Sequence, residues 1–387
     1  MLRVFLDCQS LFCDFDHLRR EIGFVDWVRD REVAEIHVLG TSQGTGGGGR
    51  EFTLTFIGRA RFAGQQDTLR FISNATDTQT EERDALTRTL KLGLVRFAAG
   101  TAIADRIVIT YDAPSVDVPA VPTDDPWNFW VFEFGVGGSI RGEEQQRNYS
   151  VNGRIEANRV TEAWKIGLFA RAGYDRSEFE FELDSTFINR SRNIFFRGQS
   201  VWSLGAHWSA GFVAWSDIST FRNFRFSLQG GPSVEFNVYP YSESSRRALT
   251  IQYTVGVAYF DYDSVTVFGK ESETLPKHVL EVGGGAQQPW GNVFVRVEAS
   301  QFLNDPAKHR IELLGGFNLR LFRGLQLNLF GSVARVKDQI NLPAGELSPE
   351  EILLRRRQLG TEFEYRVNMG FNYTFGSIFN NIVNPRF

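Results

Sequence analysis

The sequence predicts a mainly β protein, an antiparallel transmembrane β-barrel of about 12 strands preceded by a small α+β domain. Three observations favour this fold class. Aromatic residues make up 14% of the 387 residues, beside 37 Gly. Two-residue hydrophobic alternation runs further than in ordinary strands. The connections between these runs alternate between short and long. No apolar run approaches the roughly 20 residues of a membrane-spanning helix, which excludes a helical membrane protein.

The last alternation runs from Glu362 to Gly376. One face carries aromatic and apolar residues, including Phe363, Tyr365 and Val367, while the other carries polar and charged ones. Globular strands average about 5–6 residues, whereas a tilted strand that crosses a bilayer needs about 9–11. This segment therefore favours a membrane-spanning strand.

Similar runs recur along the chain after residue 127. They predict strands near 128–141, 146–159, 163–180, 186–203, 207–217, 222–239, 248–263, 277–288, 291–303, 308–321, 325–338 and 361–376. Connections after even-numbered strands are mostly short, and several after odd-numbered strands are longer and more polar. Short turns on one side and long loops on the other are typical of outer-membrane barrels.

The first part of the chain alternates helix and strand signals instead. Leu2 to Asp7 predicts a strand, and a following helix is expected to place Leu18, Ile22, Val25 and Val28 on one face. The Thr78–Glu81 capping box predicts a second helix, and Arg106 to Tyr111 a closing strand. We expect helices on one side of a sheet.

These patterns divide the chain into four parts. Residues 1–112 form the α+β domain, 113–126 a Pro-rich linker, 127–376 the barrel and 377–387 a C-terminal tail. A helix is expected in the long loop before the last strand, from a capping box at Ser348. No signal peptide is visible, and we treat its absence as uninformative about the compartment.

Cysteine is used only twice, at Cys8 and Cys13. Their close spacing favours a local disulfide in an oxidising compartment, with two reduced thiols as the alternative. A zinc pair is disfavoured because no second Cys/His pair at ligand spacing follows. We therefore expect no metal and no cofactor.

Charged residues on the polar faces of the strands predict a charge lattice in the lumen. On the expected register its members are Glu133, Arg154, Glu156, Arg171, Arg225, Glu235, Arg296, Glu298, Arg310, Glu312, Arg320, Glu364 and Arg366. Two interpretations stay open: a pore with an electrostatic constriction, or a salt-bridge lattice that fills the interior.

Strand Met369 to Phe375 resembles the aromatic-ending last strand of Gram-negative outer-membrane β-barrel proteins. The layout of the whole chain resembles an uncharacterised barrel family that carries an N-terminal periplasmic domain. The resemblance implies that the barrel-assembly machinery reads Phe371, Tyr373 and Phe375. It also implies an outer-membrane location with the N-terminal domain and the tail in the periplasm.

The sequence therefore predicts a non-enzymatic outer-membrane barrel. It anchors a periplasmic interaction domain, residues 1–112, for an unknown partner and forms a narrow channel; the alternative is a selective, porin-like pore for small solutes. The five histidines stand in no hydrolase-like motif. The expected partners are the lipid bilayer and the assembly machinery. A formal net charge of −4 gives no reason to expect nucleic acid.

Overall fold

The computed structural model describes residues 1–8, 13–110, 125–181, 185–322, 324–345 and 358–377. Most of the predicted linker, the helix predicted in the last long loop and most of the C-terminal tail lie outside these described residues.

The N-terminal domain is a five-stranded sheet with two helices. Its elements are β1 (Leu2–Asp7), α1 (Phe15–Glu21), β2 (Val25–Trp27), β3 (Ile36–Gly44), β4 (Arg50–Gly58), β5 (Gln66–Ser73) and α2 (Gln79–Ala98). The strand order is β2-β1-β3-β4-β5, with β1 parallel to both neighbours. Thr78 and Glu81 form the predicted capping box. At Gly93 an added Cβ would lie 2.1 Å from the Phe56 ring, so α2 can approach the sheet only through glycine.

Both helices pack on one face of this sheet, as predicted. Leu18 of α1 and Leu86, Leu90 and Leu94 of α2 share one buried cluster with Leu54 of β4. The opposite face carries Phe5, Asp7, His37, Thr41 and Thr55, and all but Phe5 are buried. Burying polar side chains requires a second layer on this face.

Two local predictions for this domain are wrong. The first helix ends at Glu21 rather than continuing to Val28, because Val25–Trp27 pairs with β1 as an edge strand. The predicted strand from Arg106 to Tyr111 is absent over residues 107–110, where Val108 and Ile109 are exposed. A short 3-10 helix, Ala104–Arg106, precedes them.

The second part is a single antiparallel sheet of 12 strands, which confirms the predicted fold class. The strands are β6 (Trp130–Gly142), β7 (Gln146–Val160), β8 (Trp164–Phe181), β9 (Ser185–Ser203), β10 (Trp208–Ser219), β11 (Phe224–Asn237), β12 (Arg247–Tyr262), β13 (Ser272–Gln288), β14 (Gly291–Phe302), β15 (His309–Phe322), β16 (Leu325–Val336) and β17 (Phe363–Tyr373). A 3-10 helix, Tyr241–Glu243, lies between β11 and β12.

Each of these strands pairs with its sequence neighbour, and the sheet rolls around a central cavity. Arg197 of β9 and Glu364 of β17 line the same cavity although seven strands separate them in the sheet order. Between β6 and β17, the structure records no backbone pair among the described residues. We call this unpaired border the seam. Val136 of β6 is 90% exposed and Val367 of β17 66%, so both seam edges are open.

The outward face of the sheet is apolar. On β12 it carries Leu249, Ile251, Tyr253, Val255, Val257 and Tyr259, all exposed. Arg247 and Asp261 continue this face at its two ends. Indole rings of Trp164 and Trp202 stack at 6.2 Å near the short-turn ends of β8 and β9. This distribution is that of an outer-membrane barrel, with an apolar band and aromatic borders.

Candidate functional site: the barrel interior and the domain interface

The interior of the rolled sheet holds a cavity of about 600 Å³. Its charged lining residues are Arg197, Asp217, Arg222, Lys277, Glu281, Arg296, Glu298, Arg310, Asp338 and Glu364, and its aromatic ones Phe195, Trp215, Phe224, Phe260 and Phe302. Alternation places these side chains inward while their strand neighbours face outward. The cavity suits a ligand with polar and charged groups.

Arg310 is the hub of one ion cluster inside the barrel. Its guanidinium lies 3.4 Å from Glu312, 3.2 Å from Glu364 and 3.9 Å from Asp338. Across the lumen, Arg222 binds Asp217 at 2.5 Å. Each of these two cations already has a carboxylate, and the four carboxylates outnumber the two guanidinium groups, so this part of the interior carries an excess of negative charge.

A second cluster lies on β6 and β7. Arg154 pairs with Glu133 and approaches Glu156 at 3.9 Å. Glu235 is engaged differently, since it accepts a hydrogen bond of 2.9 Å from the Tyr241 hydroxyl. The burial of that hydroxyl raises the pKa of Tyr241.

The other predicted lattice members are not brought together. Among the described residues no ion-pair partner lies within 4.0 Å of Arg171, Arg296, Glu298 or Arg366. Arg171 instead stands directly opposite Arg154 in the register. A continuous lattice is therefore not what the structure describes.

Arg225 does not belong to the lumen at all. The register of β11 against β12 shifts between Phe224 and Phe226, so one extra residue is accommodated there. Phe224 points into the cavity, and Arg225 turns to the outward face, where its guanidinium meets Asp261 at 3.3 Å. A bulge reverses the side-chain direction that strict alternation predicts.

Arg320 binds the N-terminal domain instead of joining the predicted lumen lattice. Its guanidinium donates two hydrogen bonds to the carboxylate of Asp7, at 2.5 and 2.7 Å. The Arg320 side chain is 10% exposed and that of Asp7 0%. Arg320 also donates to the carbonyl oxygen of Pro289 in the turn before β14, at 3.0 Å. The two parts of the chain are thus joined by a buried, bidentate ion pair.

His37 completes this buried group, with Nε2 3.6 Å from Asp7. Burial lowers the pKa of His37 below its usual 6.5, and the attraction of Asp7 does not restore it. Burial alone would raise the pKa of Asp7. The hydrogen bonds and charge of Arg320, together with His37, outweigh it and hold that pKa below 3.8. At neutral pH the group is therefore a carboxylate, a guanidinium and a neutral imidazole.

Further contacts carry the N-terminal domain across the short-turn ends of the barrel. Arg31 donates to the carbonyl oxygen of Pro289 at 2.6 Å, and Arg29 to that of Gly376, just after β17, at 3.3 Å. The Gly46–Gly49 turn between β3 and β4 reaches the other side of the seam. There a Cβ at Gly46 would lie 2.5 Å from the Val160 side chain. The domain thus touches the strands on both sides of the seam.

Loops close over the opposite end of the cavity. We call residues 221–223, 264–268 and 337–345 the cap. Asn223 Nδ2 donates to the carbonyl oxygen of Asn341 at 3.0 Å, and Asn341 Nδ2 donates to that of Arg222 at 2.8 Å. Ile340 is buried with Phe224, Phe260 and Phe302 in a cluster inside the barrel. The cavity is bounded by the cap on one side.

Sequence reasoning missed the residues that join separate parts of the chain. The sequence patterns give no role to Asp7 or His37, place Asn223 at the start of the strand predicted near 222–239, and place Ile340 and Asn341 in the loop before the last strand. A lone polar residue at a strand or loop position carries no local signal of its partner. Asn223 and Asn341, for example, bind each other although they lie more than a hundred residues apart in the chain.

The predicted disulfide is present. Cys8 and Cys13 are bonded, with their Cα atoms 6.1 Å apart. Phe371 and Tyr373 lie on β17 with exposed side chains, whereas Phe375 lies beyond the end of the strand and stacks on Tyr373 at 5.6 Å. In the described residues no group of three or more His, Cys, Asp or Glu is placed to hold a metal ion.

No helix within the described ranges is long and apolar enough to cross a membrane.

Comparison with known proteins adds the following. No family model matches the chain, and no curated protein matches it. One similar solved structure is the translocator domain of autotransporter NalP from Neisseria meningitidis, at 12% identity and a TM-score of 0.19, covering 64% of this chain and 80% of that one. The β domain of the Bordetella autotransporter Brka shares 13% identity at a TM-score of 0.25, covering 64% of this chain and 98% of that one.

A third similar structure is the CymD monoaromatic hydrocarbon channel, at 9% identity and a TM-score of 0.28, covering 88% of this chain and 87% of that one. All three are described as translocator, β-domain or channel structures. Similarity at these identities and TM-scores carries no information about the solutes or partners of this protein.

Proposed function

We propose that the protein is a non-enzymatic outer-membrane β-barrel that passes small polar solutes and is closed from the periplasmic side by its own N-terminal domain. The observation that carries the proposal is the buried Asp7–Arg320 ion pair, which holds the domain against the short-turn ends below a charged cavity. An interior lined by charges suits an aqueous path better than a filled core.

The placement in the membrane rests on the strands themselves. Strands of 11 to 19 residues with an exposed apolar outward face match the length and pattern that a bilayer requires. The short connections 161–163, 204–207 and 289–290 lie at the end of the sheet where β6 begins and β17 ends, and in outer-membrane barrels the short-turn end is periplasmic. The N-terminal domain is therefore assigned to the periplasm, and the cap to the outside.

A second candidate function is a closed anchor. The apolar cluster around Ile340 and the paired asparagines of the cap favour it, because they seal the outer end of the cavity. In that case the protein serves to hold residues 1–112 at the membrane for a periplasmic partner. The sheet face of the domain is covered by the barrel, so such a partner would bind the helical face.

Planar-bilayer conductance separates the two candidates. The full chain is compared with Arg320→Met, which releases the domain, and with Asn341→Ala, which loosens the cap; Arg366→Met serves as the control, since Arg366 has no ion-pair partner among the described residues. A channel closed by its domain gives larger or more frequent current steps in Arg320→Met than in wild type or Arg366→Met. The absence of current steps in all four proteins would favour the anchor.

A further inference from the structure

The inner faces of β13 and β14 carry charges of both signs that have no ion-pair partner among the described residues. Lys277, Glu281 and Glu298 all line the cavity. Among the described residues none of the three has an ion-pair partner within 4.0 Å. Charges inside a protein normally have close partners, so a cavity whose charges of both signs lack one is suited to a charged ligand.

The two carboxylates stand side by side. Glu281 and Glu298 are directly opposite each other in the register of β13 and β14. Glu298 is also directly opposite Glu312 of β15, but Glu312 is already near Arg310, at 3.4 Å. Like charges in directly opposed positions destabilise a sheet unless a cation lies between them. Arg296 is on the same face of β14, yet none of its nitrogens comes within 4.0 Å of a described carboxylate.

Lys277 marks the other end of the site. Its ammonium donates to Gln229 Oε1 at 3.2 Å and lies 5.5 Å from the centroid of the Phe302 ring. Both of these partners are neutral. Asp338 and Glu298 attract the ammonium only from beyond 4.0 Å, so an anionic group can still contact it directly. Lys277 and Glu281 are four residues apart on one strand face, which separates their Cα atoms by about 13 Å.

We propose that the cavity binds a short peptide with free termini. The peptide ammonium lies between Glu281 and Glu298, its carboxylate meets Lys277, and its side chains contact Trp215 and Phe260. The proposal deepens the function proposed above and rests on it for the path by which the peptide enters. The Cα separation of about 13 Å between Lys277 and Glu281 suits a ligand of two or three residues better than a single amino acid, whose two charges stand close together.

Other ligand classes leave part of the site unpaired. An anion pairs with Lys277 but is repelled by Glu281 and Glu298. A simple cation pairs with the two glutamates but is repelled by Lys277. A neutral sugar satisfies neither. Only a ligand with separated charges of opposite sign pairs with all three residues at once.

The test is calorimetric titration of the detergent-solubilised full chain. The probe is the tripeptide Gly-Phe-Gly with free termini, compared with its N-acetylated form, its C-amidated form and the doubly blocked form. We expect each single block to weaken binding at least tenfold. Equal binding of the free and doubly blocked peptides would overturn the proposal.

Variants assign each terminus to its residue. Lys277→Met should bind the C-amidated peptide as tightly as the free peptide. Glu298→Gln should bind the N-acetylated peptide as tightly as the free peptide. Glu133→Gln, whose carboxylate faces the lumen but pairs with Arg154, is the matched control and should bind as wild type does. If blocking each terminus weakens binding to both variants as much as it weakens binding to the wild type, the peptide binds elsewhere and the site assignment is wrong.

The two proposals fail separately. Peptide binding without conductance leaves the site in place and removes the channel. Conductance without peptide binding leaves the channel and removes the site.

Discussion

Asp7 and Arg320, 313 residues apart in the chain, form a bidentate ion pair in which both side chains are buried. One belongs to the first strand of the N-terminal domain and the other to the end of β15. The pair fixes the domain to a single place on the barrel, because the planar guanidinium donates two parallel hydrogen bonds to a carboxylate in one orientation.

Removing both members of this pair should cost less than the summed costs of removing each one alone. Arg320→Met leaves a buried carboxylate and Asp7→Asn a buried guanidinium, each expected to cost about 3–5 kcal/mol in the free energy of docking or unfolding. The double variant should cost less than the sum of the two. Differential scanning calorimetry of the full chain measures the transition of the N-terminal domain in all four proteins. Additive losses would show that the pair contributes little coupling.

Acidification should destabilise the N-terminal domain. The pKa of His37 in the folded protein lies below 6.5. As the pH falls through 6.5, the unfolded chain therefore binds a proton at His37 before the folded protein does. The free energy of unfolding therefore falls as the pH drops below about 6.5. Asp7 adds a second loss at lower pH, as its lowered pKa is crossed. The melting temperature at pH 7.5, 6.5 and 5.5 reports the first effect.

His37→Gln tests the assignment of that slope. Glutamine does not titrate, so the variant should lose part of the decline between pH 6.5 and 5.5 even if its melting temperature is lower throughout. An unchanged slope would assign the pH dependence to other groups.

The register of the last strand can be tested with two neighbouring charges. Val367 faces outward near the middle of β17 and Asn368 faces the lumen. An arginine that faces lipid costs about 2–4 kcal/mol at the bilayer midplane. Val367→Arg should therefore reduce outer-membrane yield and heat-modifiable gel mobility far more than Asn368→Arg. The reverse order would mean that the strand is displaced by one residue.

The assembly signal is a separate prediction. Phe375→Ala should lower the yield of assembled barrel if the aromatic end of the last strand is read by the assembly machinery. Phe363→Ala removes a comparable exposed ring from the other end of β17 and is the matched control. Equal yields of the two variants would remove Phe375 from the signal.

The strands were predictable because their signal is local. Two-residue alternation placed the ends of most of the 12 strands within about two residues, the usual uncertainty of element boundaries. The largest difference is at β13, which begins at Ser272 rather than at 277. The bulge at Arg225 was not predictable, since Phe224 and Phe226 continue the alternation and only the partner strand reveals the extra residue.

The functional groups were less predictable for the same physical reason. The charges on the inner face could be identified by register, but which of them are neutralised depends on partners from distant strands and from the other domain. Arg320 and Arg310 look alike in sequence, yet one binds the N-terminal domain and the other Glu364. Pairing is a tertiary property, and a single sequence does not contain it.

The outward face of β12 sets a thickness for the surrounding bilayer. From Leu249 to Tyr259 the apolar face runs for ten residue steps, about 34 Å along the strand. With a tilt of about 40° this corresponds to about 26 Å along the bilayer normal. Arg247 and Asp261, two residue steps beyond each end, fall at head-group depth. A membrane with a substantially thicker hydrocarbon layer would have to thin around this protein, so reconstitution should succeed best in short-chain lipids.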